Sequence, residues 1–137
     1  MRIYSTQKRA FAAEAVRDFE DRMLTHLQQM FPAYVDVLGD DGTRALVKLG
    51  VTRAAAYGIV SERGVCIYVD VMFAFGRDFD SDPRCAWAID VLRDPQYKDP
   101  ETRAFRLYEA AMARLDDALG LWAEVTIPEH PLSRVLP

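Results

Sequence analysis

The sequence predicts a single all-α domain, a compact bundle of about five helices followed by a proline-rich extended C-terminal arm. Three observations lead to this prediction. Apolar residues recur at spacings of three and four along most of the chain, as they do on one face of a helix. Glycine or proline follows each of these segments and ends it. Beyond residue 127, closely spaced prolines prevent a regular helix.

The composition is that of an ordinary globular protein. The chain has 137 residues, 50% hydrophobic and 28% charged, so it can bury a core without disulfide bonds. The net charge is −4 and the 17 basic residues are scattered, which argues against nucleic-acid binding. The most apolar window, 64–76, is too short to span a bilayer. Because the N-terminus also lacks the apolar stretch of a signal peptide, we expect a cytoplasmic protein without membrane insertion.

The first helix is predicted over residues 5–31. Ser5 can cap its start, and Pro32 ends it because proline disfavours helical geometry in the preceding residue. Six apolar residues fall on one face of this helix. They are Phe11, Ala15, Phe19, Met23, Leu27 and Met30.

A short helical turn and a second helix follow. Pro32 suits the first position of the turn, and Gly39 closes it. The second helix is predicted from 40 or 41 to 57, where Gly58 and then Ile59 form a typical C-terminal stop. Gly50 lies inside this helix, where glycine costs about 1 kcal/mol relative to alanine. We therefore expect another helix to approach closely at Gly50.

The third segment, 61–76, is compatible with two structures. Its β-branched and aromatic residues suit a buried strand, so a strand over 65–75 stays open. A helix is favoured by the segment's length, by Ser61 as a cap with Glu62 behind it, and by Gly76 as a stop. We predict that this helix is apolar almost all round and that the other helices pack against it.

Two more helices complete the predicted body. The fourth covers about 83–93 and ends ahead of Pro95. The fifth runs from Pro100 to about Leu119, with a glycine stop at the next position. In both, an aspartate followed by proline marks the start, since aspartate caps a helix and proline fills its first turn.

The stretch GRDFDSDP, residues 76–83, resembles the opening of a calcium loop, with aspartates at alternate positions. Such a loop needs glycine at its sixth position and glutamate at its twelfth. Counted from Asp78, those positions hold Pro83 and Ile89, so no metal is predicted here. Asp82 instead caps the fourth helix, while Asp78 and Asp80 remain available for a hydrogen bond or an arginine.

The remaining polar residues do not complete a catalytic or cofactor-binding pattern. No serine lies in a nucleophile elbow, and the isolated glycines do not form a phosphate loop. The two histidines, His26 and His130, lack neighbours at zinc-ligand spacing. Cys66 and Cys85 fall within apolar patterns and are expected to be buried, reduced thiols. The sequence thus predicts a protein that is not an enzyme and has no metal or cofactor.

Asp70 is the exception, because it lies in the middle of an apolar run. A buried carboxylate is costly unless it is paired. It could reach solvent through a narrow polar stripe, or pair with an arginine such as Arg53, Arg77 or Arg106. A functional carboxylate also stays open, in a small enzyme with an acidic site around Asp70, Asp78 and Asp80.

With the helices placed, the string from Tyr57 to Leu92 resembles a group of small bacterial proteins associated with type VI secretion spike and effector gene clusters. Their pattern is a YGI turn, an acidic helix start, an aromatic-rich helix, G-x-x-FD-x-DP and a WA dipeptide. The matching residues are Tyr57, Gly58, Ile59, Glu62, Tyr68, Met72, Phe73, Gly76, Phe79, Asp80, Asp82, Pro83, Trp87 and Ala88. The opening residues Phe19, Arg22, Met23, His26, Leu27, Phe31 and Pro32 fit the same group, so the resemblance spans roughly 5–119.

The resemblance implies an accessory protein that binds another protein, as an adaptor or chaperone for a secreted effector. An immunity protein that neutralises a cognate toxin is the alternative. The tail after Gly120 is unusually rich in large apolar residues for a free terminus, so part of it is expected to contact a partner. The candidate partner-binding residues are Asp78, Phe79, Asp80, Trp122, Ile127, His130, Leu132, Val135 and Leu136.

Overall fold

A computed structural model describes residues 2–120, and describes the side chains of 13–116. It contains five α-helices: α1 (Arg2–Met30), α2 (Pro32–Ala56), α3 (Glu62–Phe75), α4 (Ala86–Leu92) and α5 (Pro100–Gly120). Two short 3-10 turns, Phe79–Ser81 and Pro83–Cys85, lie between α3 and α4. The all-α prediction is confirmed for these residues. The alternative of a strand over 65–75 is wrong, because the whole segment lies within α3.

Two compact units make up the chain, residues 1–48 and 49–137. The first unit contains α1 and the first two thirds of α2. Phe19, Met23 and Leu27 of the stripe predicted for the first helix are buried, whereas Ala15 is exposed, and the polar Glu20 and Thr43 are also buried. Arg44 joins the two helices, since its Nη2 lies 2.5 Å from Asp21 Oδ1 and its Nη1 lies 3.9 Å from Glu20 Oε1. The sequence predicted a single domain for the whole chain. That remains a prediction, because it depends on how the two units combine.

The boundaries in the first unit differ from the predicted ones at one point. The helix α1 begins at Arg2, so Ser5 lies inside it and does not cap it. A serine followed by an apolar repeat is a weak start signal, because the residues before it can also adopt helical geometry. The break at Gly39 is as predicted. This residue has φ 71° and ψ 175°, which interrupts α2 between the short turn and the longer helical segment.

In the second unit, α3 is the most buried helix, as the sequence predicted. Ser61 caps it by accepting a hydrogen bond from the Gly64 amide at 3.0 Å, and Gly76 ends it with φ 117°. Nine of its residues are buried. They are Gly64, Val65, Ile67, Tyr68, Val69, Asp70, Val71, Met72 and Phe73.

The main partner of α3 in this unit is α5, and α4 also packs against α5. A methyl group built on Gly64 would lie 3.5 Å from Ala104 Cβ. One to two turns further along both helices, the charge of Asp70 raises the pKa of Tyr108. The helices α3 and α5 therefore run in the same direction where they meet.

Glycine determines two features of α2 in this unit. Gly58 has φ +78°, and the amide of Ile59 donates to the carbonyl of Ala54 at 3.0 Å, which forms the predicted C-terminal stop. At Gly50, a Cβ atom would lie 2.5 Å from Val69 Cγ2 on α3. The close approach predicted at Gly50 is confirmed.

An arginine from α5 reaches the end of α2. Arg103 donates from Nη1 to the carbonyl oxygen of Tyr57 and from Nη2 to that of Tyr97, both at 2.5 Å. Its Nε is buried and has no hydrogen-bond partner among the described residues. A cation at this position is favourable because the last carbonyls of a helix carry partial negative charge.

Both predicted aspartate–proline helix starts are present, but the first begins a 3-10 turn and not α4 itself. Asp82 accepts a hydrogen bond from the Arg84 amide at 2.9 Å, but the turn it caps is 3-10, and α4 begins only at Ala86. Asp99 accepts from the Glu101 amide at 3.3 Å at the start of α5. Of the helices in the described range, none is both long enough and apolar enough to cross a bilayer.

Candidate functional site

The acidic loop between α3 and α4 is attached to α2 by Arg53. The Nη1 atom of this arginine lies 2.8 Å from Asp78 Oδ1 and 3.9 Å from Asp80 Oδ1. It also donates to the backbone carbonyl of Arg77 at 2.6 Å. A single guanidinium thus contacts the carbonyl group of Arg77 and the carboxylates of Asp78 and Asp80. Its hydrogen bond to Asp78 holds the pKa of that carboxyl group below its ordinary value.

Tyrosines hold the other side of the loop. The hydroxyl of Tyr57 donates to Asp80 Oδ2 at 2.9 Å. Phe79 is completely buried, and its ring centroid lies 4.9 Å from that of Tyr68. Burial raises the pKa of both tyrosines, and the nearby Asp80 raises it further. The Tyr68 hydroxyl is itself buried and makes no hydrogen bond within the described part of the chain.

These contacts define where the predicted loop residues lie. Asp78 is half exposed, Asp80 is largely covered and Phe79 belongs to the core. Asp82 forms a bidentate pair with the neighbouring Arg84, whose Nη2 lies 2.8 Å from Asp82 Oδ2. Each aspartate of the loop has an internal donor, and of the three loop residues predicted to bind a partner only Asp78 presents much of its side chain to solvent.

Asp70 is completely buried, so the alternative in which it reaches solvent through a polar stripe is wrong. Two of the arginines considered for it, Arg53 and Arg77, engage Asp78, while Arg106 engages another carboxylate. One turn earlier on α3, the Cys66 thiol donates to Asp70 Oδ2, with 3.9 Å between sulfur and oxygen. Burial raises the pKa of this thiol, and the adjacent carboxylate raises it further.

Both cysteines are free, and Cys85 is buried as the sequence predicted, whereas Cys66 is only partly buried. Burial raises the pKa of Cys85 as well. A thiol reacts as a nucleophile in its thiolate form, and a raised pKa depletes that form at neutral pH. The environment of both side chains suits a structural role better than nucleophilic catalysis.

A second candidate site is an open groove between α3 and α5. Its volume is about 370 Å³. Six residues line this α3–α5 groove: Arg63, Ile67, Glu101, Thr102, Phe105 and Arg106. Ile67 is buried, whereas the phenyl ring of Phe105 is 46% exposed and stacks on Tyr108 with a centroid distance of 6.4 Å.

The charged residues of the groove differ in how they are engaged. Arg106 donates to Glu109 at 2.9 Å and lies over the ring of Tyr97, with 6.0 Å from its Cζ to the ring centroid. Arg63 makes no ion pair or hydrogen bond with a side chain in the described range of 13–116. The groove therefore combines an apolar floor with the paired guanidinium of Arg106, the guanidinium of Arg63 and the carboxylate of Glu101.

This groove was not predicted from the sequence. The buried face of α5 contains Tyr108 and Ala111. Phe105 lies about a quarter-turn away from Ala104 on the margin of that face, since successive helical residues are rotated by roughly 100°. A large aromatic residue at the margin of an amphipathic face was the available signal. Predicting the groove itself would have required knowing that α3 packs beside α5.

The tail residues predicted to bind a partner lie outside the described residues. These are Trp122, Ile127, His130, Leu132, Val135 and Leu136. Comparisons with protein families, with curated proteins and with solved structures found no match to this chain.

Proposed function

We propose that this protein is a non-enzymatic accessory protein that binds another protein, as an adaptor or chaperone for a secreted effector. The observation that carries the proposal is the α3–α5 groove. A half-exposed phenyl ring beside a buried aliphatic floor is costly to leave in water, and such surfaces are typical of sites that receive a side chain of a partner. The groove is open to solvent, which suits a peptide segment.

The polar clusters support binding over catalysis. The loop carboxylates of Asp78 and Asp80 are engaged by Arg53 and Tyr57, and both thiols have raised pKa values. Groups that act in acid–base or nucleophilic catalysis need a suitable pKa and access to a substrate. We therefore rank an enzyme with a site around Asp70, Asp78 and Asp80 below a binding protein.

The kind of partner rests on the resemblance to proteins of type VI secretion gene clusters. An adaptor of this kind would act in the bacterial cytoplasm and hold an effector before export. The net charge of −4 supports a protein partner over nucleic acid. The same acidic charge favours the second candidate, an immunity protein that covers the active site of a basic toxin.

Co-expression with the product of the neighbouring effector or toxin gene tests the proposal. For an adaptor, we expect the effector to be soluble and abundant only with this protein present, and the two to copurify. For an immunity protein, toxicity should fall while the amount of toxin stays the same. If no protein encoded in the same cluster copurifies and none changes in amount or toxicity, the proposed function is wrong.

A further inference from the structure

We infer that the short helical turn at the start of α2 is a docking surface for a basic–apolar segment of another protein. This surface is separate from the α3–α5 groove and goes beyond the proposed function. Three exposed apolar side chains and three exposed carboxylates occur together on it. The residues of this acidic–apolar face are Tyr34, Val37, Leu38, Asp36, Asp40 and Asp41.

The apolar part of the face lies on a single turn of helix. Six large apolar side chains are exposed in the described range, and three of them fall within the five positions 34–38. Val37 is 86% exposed and Tyr34 is 57% exposed. Their spacing of three places them on the same side of the helix. Single exposed apolar residues are common on proteins, but a contiguous group marks an interaction surface.

The turn is already ordered without a partner. Val35 is buried within it, and its amide donates to the carbonyl of Phe31 at 3.1 Å. The ring of Phe31 meets that of Tyr34 edge-on, with 6.4 Å between the centroids. Leu38 lies against Gly42, where an added Cβ would be 3.2 Å from Leu38 Cβ. A partner that covers the turn therefore restricts little that is not already fixed.

The charges beside these side chains have one sign. Asp36, Asp40 and Asp41 are exposed, and within 13–116 none of their carboxylates forms a salt bridge or a hydrogen bond. The chain has no lysine or arginine from position 23 to 43. The next basic residue, Arg44, is already engaged by Asp21, with 2.5 Å between Nη2 and Oδ1. The face thus keeps a negative charge after this pair is counted, and it attracts lysine or arginine.

A basic–apolar segment fits this face better than a second copy of the chain does. In a symmetric dimer the same patch lies on both subunits, so the carboxylates of one copy would meet those of the other. Like charges placed together are costly, whereas a lysine next to an apolar side chain complements both parts of the face. We therefore expect a partner segment with large apolar residues at helical spacing and lysine or arginine between them.

The test uses the full chain and a fluorescent peptide of leucine and lysine, with leucine at the spacing of one helical face. Matched peptides carry glutamine or glutamate in place of lysine. Fluorescence anisotropy measures binding, and chemical-shift changes of backbone amides locate the surface. We expect the lysine peptide to bind with shifts at residues 34–41, and the glutamate peptide to bind at least about tenfold more weakly. Binding of the lysine peptide should weaken as the salt concentration rises.

Substitutions at exposed positions separate the two parts of the face. Val37→Ser should weaken the lysine peptide by about fivefold, because it removes apolar contact area. Val60→Ser removes another exposed valine, 77% exposed, and should have no effect. Asp36→Lys should weaken the same peptide by about tenfold, and Asp90→Lys, with the same change in net charge on α4, by about twofold or less. Phe105→Ala, in the α3–α5 groove, should leave binding unchanged.

The inference is wrong if the lysine peptide does not bind, if the glutamate peptide binds as tightly, or if the shifts lie outside 34–41. Equal effects of Asp36→Lys and Asp90→Lys would also overturn it, since they would reflect net charge alone. Two other occupants of the face would do the same. A second copy would give sedimentation that depends on protein concentration and is altered by Val37→Ser. The chain's own residues 121–137 would give nuclear Overhauser contacts to Val37 in the free protein.

Discussion

The missing side chain of Gly50 sets how closely α2 and α3 approach. A Cβ atom at this position would lie 2.5 Å from Val69 Cγ2 and 3.1 Å from Met72 Sδ. Glycine is otherwise a poor residue for a helix interior, because it loses more backbone freedom on folding than alanine does. The unfavourable local preference is offset by the packing that it permits.

Gly50→Ala should therefore lower the free energy of unfolding. Overpacking costs about 1–3 kcal/mol and the better helix propensity of alanine returns about 1 kcal/mol, so we expect a net loss of about 1–2 kcal/mol. Chemical denaturation measures this change. In the double variant Gly50→Ala/Val69→Ala the two losses should be less than additive, since the truncated Val69 makes room for the new methyl group. A more stable Gly50→Ala protein would contradict the close approach.

The carboxyl group of Asp78 links stability to pH. Its hydrogen bond to Arg53 lowers its pKa from the ordinary value of 3.8, so the folded state binds this proton less readily than the unfolded state. The stabilisation is fully present above 3.8 and is lost as the pH falls through the lowered pKa. Asp78→Asn should be less stable than the unsubstituted protein at neutral pH, and the difference should vanish in acid.

Thermal unfolding across a pH series measures this difference. Asp36→Asn, which removes another exposed carboxyl group, serves as the control. A stability difference for Asp78→Asn that stays constant from neutral pH into strong acid would show that the carboxylate charge is not the cause.

At the scale of the elements, Arg103 joins the end of α2 to the segment that precedes α5. It donates to the carbonyl oxygen of Tyr57, one residue past the end of α2, and to that of Tyr97 in the segment between α4 and α5. Within the part of the chain that the structure describes, the Nε of the same side chain is buried without a hydrogen-bond partner. Two good hydrogen bonds to a charged donor should outweigh one unsatisfied N–H group.

Arg103→Met should lower the free energy of unfolding by about 1.5–3 kcal/mol, because the substitution keeps an apolar stem but removes the donors. Arg84→Met is the matched control. The Arg84 side chain is 88% exposed and pairs only with Asp82, and an exposed pair contributes about 1 kcal/mol or less. Equal losses in the two variants, measured by urea denaturation, would argue against a special role for Arg103.

The sequence was sufficient to predict the elements because each signal acts locally. Ser61 and Gly76 bound α3, and Gly58 with Ile59 ends α2, through hydrogen bonds within a few residues. The 3-10 start of α4 was missed, since an aspartate–proline pair caps either kind of turn. The contacts of Arg53 and Phe79 were not predictable in detail, because they join segments that are distant in sequence.

At the scale of the whole molecule, the reactivity of the two thiols can be used to follow unfolding. Burial raises the pKa values of Cys66 and Cys85, and Asp70 adds to the effect at Cys66. The thiolate fraction in the folded state is correspondingly small. Unfolding returns both groups to their ordinary pKa values and exposes them together.

Reaction with a thiol-specific disulfide reagent at about pH 8, near the ordinary pKa of a cysteine, should therefore be slow in the folded protein and rapid in denaturant. The single variants Cys66→Ser and Cys85→Ser separate the two sites. We expect the partly exposed Cys66 to remain slow, because its pKa limits the reaction more than its accessibility does. A folded-state rate for Cys66 close to that of glutathione would contradict this account.

The parallel contact between α3 and α5 has a consequence for the kinetics of folding. Gly64 and Ala104 meet across about 40 intervening positions, and a loop of that length must close before their contact can form. Helical proteins whose neighbours are joined by short turns fold in microseconds to milliseconds, and distant contacts slow this step. Substitutions that loosen the contact, such as Ala104→Gly, should mainly accelerate unfolding if the loop closes late, and mainly slow refolding if it closes in the transition state. Stopped-flow measurements across a denaturant series would thus place the closure of this segment on the folding pathway.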